Sequence, residues 1–297
     1  MKIIITGSLG HISKPLVEEL IQKGHSITVI SSKPERQKEI EDLGAVAAIG
    51  SMGDAGFLTE TFSGADAVYT MLPPPNFAAA DFDLIDFMHR ISQNYAQAIE
   101  QSGVKRVVHL SSVGAHLDKG TGLIQMHHQA ENILSSLKDV NITFMRPVGF
   151  YYNLFIFSAL IKNAGMISSN YGDEDVIPWV SPIDIAAAIA EEIVTPLTGK
   201  KVIYVASEEL TCNETARILG EAIGKPDLQW PLISDKELQK RYESIGMGKQ
   251  VVSALVEMQS NMHDGPFYDD YYKNRTTLGK VKMKDFAKDF AVAYSKA

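Results

Sequence analysis

A glycine turn lies near the start of the chain. Ile3-Ile4-Ile5-Thr6-Gly7-Ser8-Leu9-Gly10-His11-Ile12-Ser13 reads as a buried strand, a tight turn and a helix start. Gly7 permits the turn, and Gly10 lets the backbone approach a pyrophosphate whose oxygens meet the first N–H groups of the helix. The spacing is Gly-x-x-Gly-x-x-Ser, with Ser13 where a third glycine would ease helix packing on the sheet. Gly7, Ser8, Leu9, Gly10, His11 and Ile12 are therefore candidate contacts to a dinucleotide. Such a turn carries that meaning only between a strand and a helix, which is its setting here.

About 20 residues beyond Gly10, where an acidic side chain would hold a ribose 2′-hydroxyl, the sequence is Ile30-Ser31-Ser32-Lys33-Pro34-Glu35-Arg36. No carboxylate stands at the strand end. Ser31, Ser32, Lys33 and Arg36 instead suit a 2′-phosphate, which predicts NADP(H) over NAD(H). The plainer alternative makes Lys33 and Arg36 solvated charges at a helix start. Other strand ends supply Met71, Leu72, Pro73 and Pro74 for the ribose and pyrophosphate. Gly50–Asp54 is expected near the adenine, and Ser111-Ser112-Val113-Gly114 follows the fifth strand, with Ser111 a candidate cofactor contact.

The elements that must place these residues alternate. Apolar, β-branched runs occur at Lys2–Thr6, Ser26–Ile30, Ala45–Ile49, Ala67–Met71, Arg106–Leu110 and Ile142–Met145. Runs without clean alternation suit strands buried on both faces of a parallel sheet. Helical spacing lies between them, including Ile85, Met88, Ile91, Tyr95 and Ile99 in a long fourth helix and Ile124, Ile133, Leu134 and Leu137 in a fifth. The expected class is α/β, a Rossmann-type doubly wound parallel sheet with a smaller, mainly helical C-terminal substrate domain. Residues 1–147 form the dinucleotide domain, with 184–210 returning to it. Residues 148–183 and 211–297 form the smaller one, and 163–182 read as loop.

Composition narrows the function classes. Across 297 residues, 28 Lys and Arg against 36 Asp and Glu leave a net charge of −8 and no basic run, which argues against a nucleic-acid surface. The single cysteine, Cys212, offers neither an internal disulfide nor zinc spacing and suits a reducing cytosol. No stretch approaches the roughly 18 apolar residues that span a membrane, and the N-terminus lacks the pattern of a signal peptide, so a cytoplasmic protein is expected. Asp173, Glu174 and Asp175 cluster in a loop with no histidine near them in sequence, which favours a solvated turn over a metal site. Neither a Gly-x-Ser-x-Gly elbow nor a Gly-x-x-x-x-Gly-Lys-Ser/Thr loop is present.

Together, several segments resemble the NmrA-like group of atypical short-chain dehydrogenases/reductases. They are Thr6-Gly7-Ser8-Leu9-Gly10, Gly64-Ala65-Asp66-Ala67-Val68, Leu110-Ser111-Ser112-Val113-Gly114-Ala115, Arg146-Pro147-Val148-Gly149-Phe150 with Asn153-Leu154, and Val180-Ser181-Pro182-Ile183-Asp184-Ile185-Ala186. The resemblance covers residues 1 to about 200. It implies a Ser, Tyr and Lys catalytic set, from which this chain departs. Setting Glu131 against the family's usual glutamate places His127 at the lysine and Leu123 at the tyrosine position. Leucine moves no proton, so carbonyl reduction by the Tyr-Lys route is not expected. The run Gly122-Leu123…His127…Glu131-Asn132-Ile133-Leu134 is similar to the family's NADPH-dependent quinone reductase branch. That similarity implies hydride transfer to a quinone-like small molecule without flavin or metal. His127 and Ser112 are then the candidate catalytic residues, with His127 bonding the nicotinamide ribose or carboxamide. His128 points about 100° away on the same helix and cannot share the site.

On the substrate side, Pro147 and Val148 are expected against the nicotinamide, with Phe150, Tyr151 and Asn153 beside the acceptor and Trp179 as a cover. Phe267-Tyr268-Asp269-Asp270-Tyr271-Tyr272 reads as a mobile lid or an interface. The fourth and fifth helices are candidate faces for a homodimer. A second class of function stays open at this point: a dinucleotide sensor that binds NADP(H) and a partner protein without turnover, for which the missing Tyr and Lys are equally apt.

Overall fold

Isoleucines at Ile3, Ile4 and Ile5, all fully buried, show why the first strand reads as an unbroken apolar run. Ile3 and Ile5 enter one core and Ile4 the other, because successive strand side chains point to opposite faces. The computed structural model describes residues 1–73 and 84–296. Its strands are β1 (Lys2–Ile5), β2 (Ser26–Ser31), β3 (Val46–Ile49), β4 (Ala67–Met71), β5 (Arg106–Leu110), β6 (Asn141–Pro147), β7 (Gly149–Phe150), β8 (Val176–Val180), β9 (Lys200–Val205) and β10 (Glu208–Thr211). Seven of them form one sheet in the order β3-β2-β1-β4-β5-β6-β9, with every pairing parallel. The fold is the Rossmann-type α/β sheet that the strand–helix alternation predicts.

Helices Ser13–Gln22 and Pro182–Glu192 pack together on the face of Ile3 and Ile5. Helices Ala55–Phe62, Leu84–Ser102 and Gln125–Ser135 cover the face of Ile4. Strand order reverses between β1 and β4, so the crevice beyond their carboxyl ends is where a ligand of this fold binds. Among the described residues no helix is long and apolar enough to cross a membrane.

A second sheet, β10-β8-β7, has no counterpart in the sequence expectations. Its central strand, β8, runs through the segment expected to be loop. Pro178 hides it, since a proline inside a strand lacks the N–H that the ladder uses. Here Pro178 is opposite Glu209 of β10, and Gly149 of β7 pairs with Trp179. Beyond β10 the chain is helical at Cys212–Ala222, Asp235–Ser244, Lys249–Asp264, Asp269–Lys273 and Met283–Lys296.

Candidate functional site

The glycine turn is closely constrained. Gly7 has φ +88°, and a Cβ there would lie 2.4 Å from Met71 Sδ and 2.8 Å from Ser13 Oγ. The Ser8 N–H donates to Ile30 O at 3.0 Å and its hydroxyl to Ser31 Oγ at 3.0 Å, tying the turn to the end of β2. Ser13 Oγ donates to Thr6 O at 3.0 Å, so serine fills the third-glycine position and bonds helix to strand. Helix Ser13–Gln22 starts without a side-chain cap and without an acidic residue in its first turn. Its dipole is therefore directed at whatever anion enters beside exposed Gly10 and His11, although the Lys14 N–H already donates to Gly10 O at 3.0 Å. Leu9 is half-buried and Ile12 buried beneath them.

At the end of β2 the Lys33 N–H donates to Ser31 Oγ at 3.2 Å, while Ser32 and the Lys33 side chain are exposed. Arg36 pairs with Glu39, and that hydrogen bond holds the carboxylate below its ordinary pKa. Among the described residues Lys33 has no ion-pair partner. Met71 and Pro73 are half-buried and Leu72 buried beyond β4; Pro74 lies outside the described residues.

The ends of β5 and β6 are stitched together by Ser111 N–H to Met145 O (2.7 Å) and Val113 N–H to Pro147 O (3.0 Å). This brings half-buried Ser112 beside Pro147 and Val148. The Ser111 hydroxyl, expected at the cofactor, donates to Glu131 instead. Val148 and Pro147 are buried, the Val148 side chain belongs to the core, and its N–H donates to Val205 O at 3.1 Å.

Helix Gln125–Ser135 presents His127, whose Nδ1 is buried with no partner among the described residues. Burial pushes its pKa down to about 4, so the imidazole is neutral near pH 7. The neighbouring His128 donates from Nδ1 to Ala115 O at 2.9 Å and accepts from Asn132, a structural tie. Leu123 is buried in the core, and no proton donor stands at its position.

One turn beyond His127, Glu131 accepts from Arg146 Nε at 2.8 Å and Nη2 at 2.6 Å. Arg146 also donates to Tyr204 Oη at 3.0 Å and Asp270 at 3.2 Å. Under this network His109 bonds Thr70 Oγ1 at 2.9 Å and is pushed down to about 3 by burial and by His127.

The aromatic side divides. Phe150 and Tyr152 are half-buried and Asn153 is exposed. Two of the expected substrate contacts need correction. Trp179 is 3% exposed, and its indole N–H donates to Thr215 at 3.2 Å, so it fills the core between β7 and helix Cys212–Ala222. Tyr151 is also buried, stacks on Phe286 at 5.5 Å and donates to Val281 O. The run Phe267–Tyr272 is not a free lid: Phe267, Tyr268 and Tyr271 are buried, and Tyr204 and Arg146 hold Asp270. Phe267 lies where a Cβ on Gly114 would meet its ring at 2.7 Å.

The residues present fit a nicotinamide dinucleotide: a cradle closed to any Cβ at Gly7, an uncapped helix start and an unpartnered His127 Nδ1. Comparison with known proteins agrees. A profile of the family described as NAD(P)H-binding matches residues 7–196. The chain belongs to this NAD(P)H-binding family. A (4-alkanoyl-5-oxo-2,5-dihydrofuran-3-yl)methyl phosphate reductase of Streptomyces griseus is 26% identical over 227 residues, 75% of this chain and 74% of that one. The NADPH complex of an Escherichia coli NADPH-dependent quinone oxidoreductase superposes with TM-score 0.81 at 20% identity, covering 97% of this chain and 99% of that one. The NADP(H) complex of a Citrobacter sp. triphenylmethane reductase gives 0.78 at 19%, with the same coverages. In family and fold the chain is an NAD(P)H-binding protein built on a Rossmann-type α/β sheet.

Sequence reasoning reached Tyr152 only as one of a run of aromatics, with no role of its own, and missed His109. Tyr152 was masked by the aromatic run around it, although its ring meets His11 of the glycine turn at 4.9 Å. His109 carried a signal, a lone histidine inside the apolar strand Arg106–Leu110. The acidic turn also finds a histidine that is remote in sequence: His263 Nδ1 lies 2.8 Å from Asp175. Among the described residues no three His, Cys, Asp or Glu side chains converge as metal ligands.

Proposed function

We propose that the protein reduces a quinone or a similar small conjugated electrophile with NADPH by direct hydride transfer. The observation that carries this is Leu123, buried where a catalytic tyrosine would stand, beside a histidine that burial keeps neutral. Such a site offers position and hydrogen bonds rather than a strong acid, so it suits an acceptor that takes hydride readily. When bound, the reduced nicotinamide supplies the hydride, and no flavin or metal takes part. Gly7, Ser8, Leu9, Gly10, His11 and Ile12 hold the pyrophosphate. Ser31, Ser32, Lys33 and Arg36 take the 2′-phosphate, which gives NADPH its preference over NADH. His127 bonds the ribose or carboxamide, and Ser112, Phe150 and Asn153 orient the acceptor. The reduced acceptor oxygen takes its proton from solvent, since neutral His127 has none to spare. The relatives' names denote conjugated molecules too, namely a quinone, a triphenylmethane dye and an alkanoyl oxo-dihydrofuran. A cytoplasmic setting suits the lone Cys212, which is buried and whose thiol burial pushes up.

The test is NADPH consumption at about 340 nm with a panel of small quinones, beside titrations with NADPH and NADH. Turnover that needs both protein and quinone, with NADPH bound more tightly than NADH, is the expected result. His127→Ala should then lower kcat/KM or weaken NADPH binding. Tight NADPH binding with no turnover would make the protein a dinucleotide sensor instead.

A further inference from the structure

Tyr152 connects the two ends of the crevice. It lies in the short 3-10 helix Tyr151–Phe157, directly after β7. Its ring stacks on His11 with centroids 4.9 Å and planes 27° apart. It also tilts against Phe150 at 5.0 Å and 33°. These three rings form one ladder, with the glycine turn at one end and the acceptor side at the other. Unlike Tyr151, none of the three is buried in the core: His11 is exposed, and Phe150 and Tyr152 are half-buried. Partly exposed rings of this kind are the parts of a crevice that a bound ligand can reach and set.

We propose that the His11–Tyr152–Phe150 ladder couples the two binding sites, so that filling the pyrophosphate turn sets the aromatic wall against the acceptor. The inference rests on the dinucleotide and acceptor assignments above. His11 follows Gly10, and its backbone N–H belongs to the group that meets the pyrophosphate. An anion there orders the turn and with it the imidazole ring. The imidazole carries Tyr152, and Tyr152 carries Phe150. Each ring contact can transmit no more than an aromatic pair is worth, so the coupling is about three- to tenfold in affinity. Thermodynamic reciprocity makes the acceptor tighten the dinucleotide by the same factor.

Menadione with NADP+ is the probe, because the oxidised dinucleotide has no hydride to give. Calorimetric titration should show menadione binding about three- to tenfold more tightly to the NADP+-saturated protein than to the free protein. His11→Ala and Tyr152→Ala should bring that ratio close to one. His11→Phe, which keeps a ring on Tyr152, should preserve it. A Phe150→Trp reporter reads the wall without any acceptor, since Trp179 and Trp230 are both buried. Its emission should shift on adding NADP+, and the shift should vanish when His11→Ala is added. Full coupling in His11→Ala, no coupling in the wild type, or a reporter shift that ignores the His11 ring would overturn the ladder. A His11-dependent shift without menadione binding would keep the ladder and remove the quinone assignment. No response to NADP+ at all would end both.

Discussion

Gly7 is the residue at which sequence and site bind each other most tightly. Its positive φ disfavours any L side chain, and Met71 Sδ occupies the place of a Cβ. Gly24 has a similar φ of +81° with nothing within 4 Å, so it separates backbone strain from collision. Gly7→Ala should cost about 2–4 kcal/mol by denaturant unfolding and weaken NADPH at least about tenfold, whereas Gly24→Ala should cost about 1 kcal/mol and leave NADPH binding alone. Equal effects at the two positions would show that the cradle is not closed around Gly7. Ser13 illustrates the same scale from the other side. The spacing places Ser13 where a third glycine would stand, but only the structure shows its hydroxyl on Thr6 O.

At the scale of elements, helix Gln125–Ser135 is anchored by one buried ion pair. Arg146 and Glu131 are 6% and 8% exposed, and Glu131 sits one turn from His127. Removing Glu131 leaves Arg146 with only the partly exposed Asp270 as a counter-charge. Glu131→Leu should therefore destabilise the protein by about 3 kcal/mol, while adding Arg146→Met should recover a large part of that loss. A denaturant double-mutant cycle measures this; additive losses would mean the two side chains act independently. The helix itself was legible from Leu134 and its apolar partners, but its anchor was not. Arg146 and Glu131 are 15 positions apart, and Asp270 arrives from 124 positions beyond Arg146. Strand β8 was illegible for a different reason, because Pro178 gives the local signature of a loop and only pairing on both sides makes it a strand.

For the molecule as a whole, the buried histidines make stability depend on pH. His109 is fully buried and pushed down to about 3, and His127 to about 4, against an ordinary value of 6.5. Unfolding frees each to take a proton below pH 6.5, so stability is complete above that pH and falls as pH drops towards 3. His109 alone should remove about 2 kcal/mol between pH 7 and 5. Urea midpoints across that range check this, and His109→Gln, which retains a partner for Thr70, should flatten the slope. An unchanged slope would exclude His109 as its source. Sequence alone determined the parallel sheet and the glycine turn, because each depends on neighbours within one strand or turn. Gly24, Gly44, Gly64 and Gly103, each just past the end of a helix, all have positive φ for the same local reason. Tertiary structure alone decided which aromatics face the crevice. Tyr151 and Tyr152 are adjacent and chemically alike, yet one stacks on Phe286 in the core and the other on His11 at the turn. Burial is set by what packs from distant parts of the chain, and no local pattern carries that information.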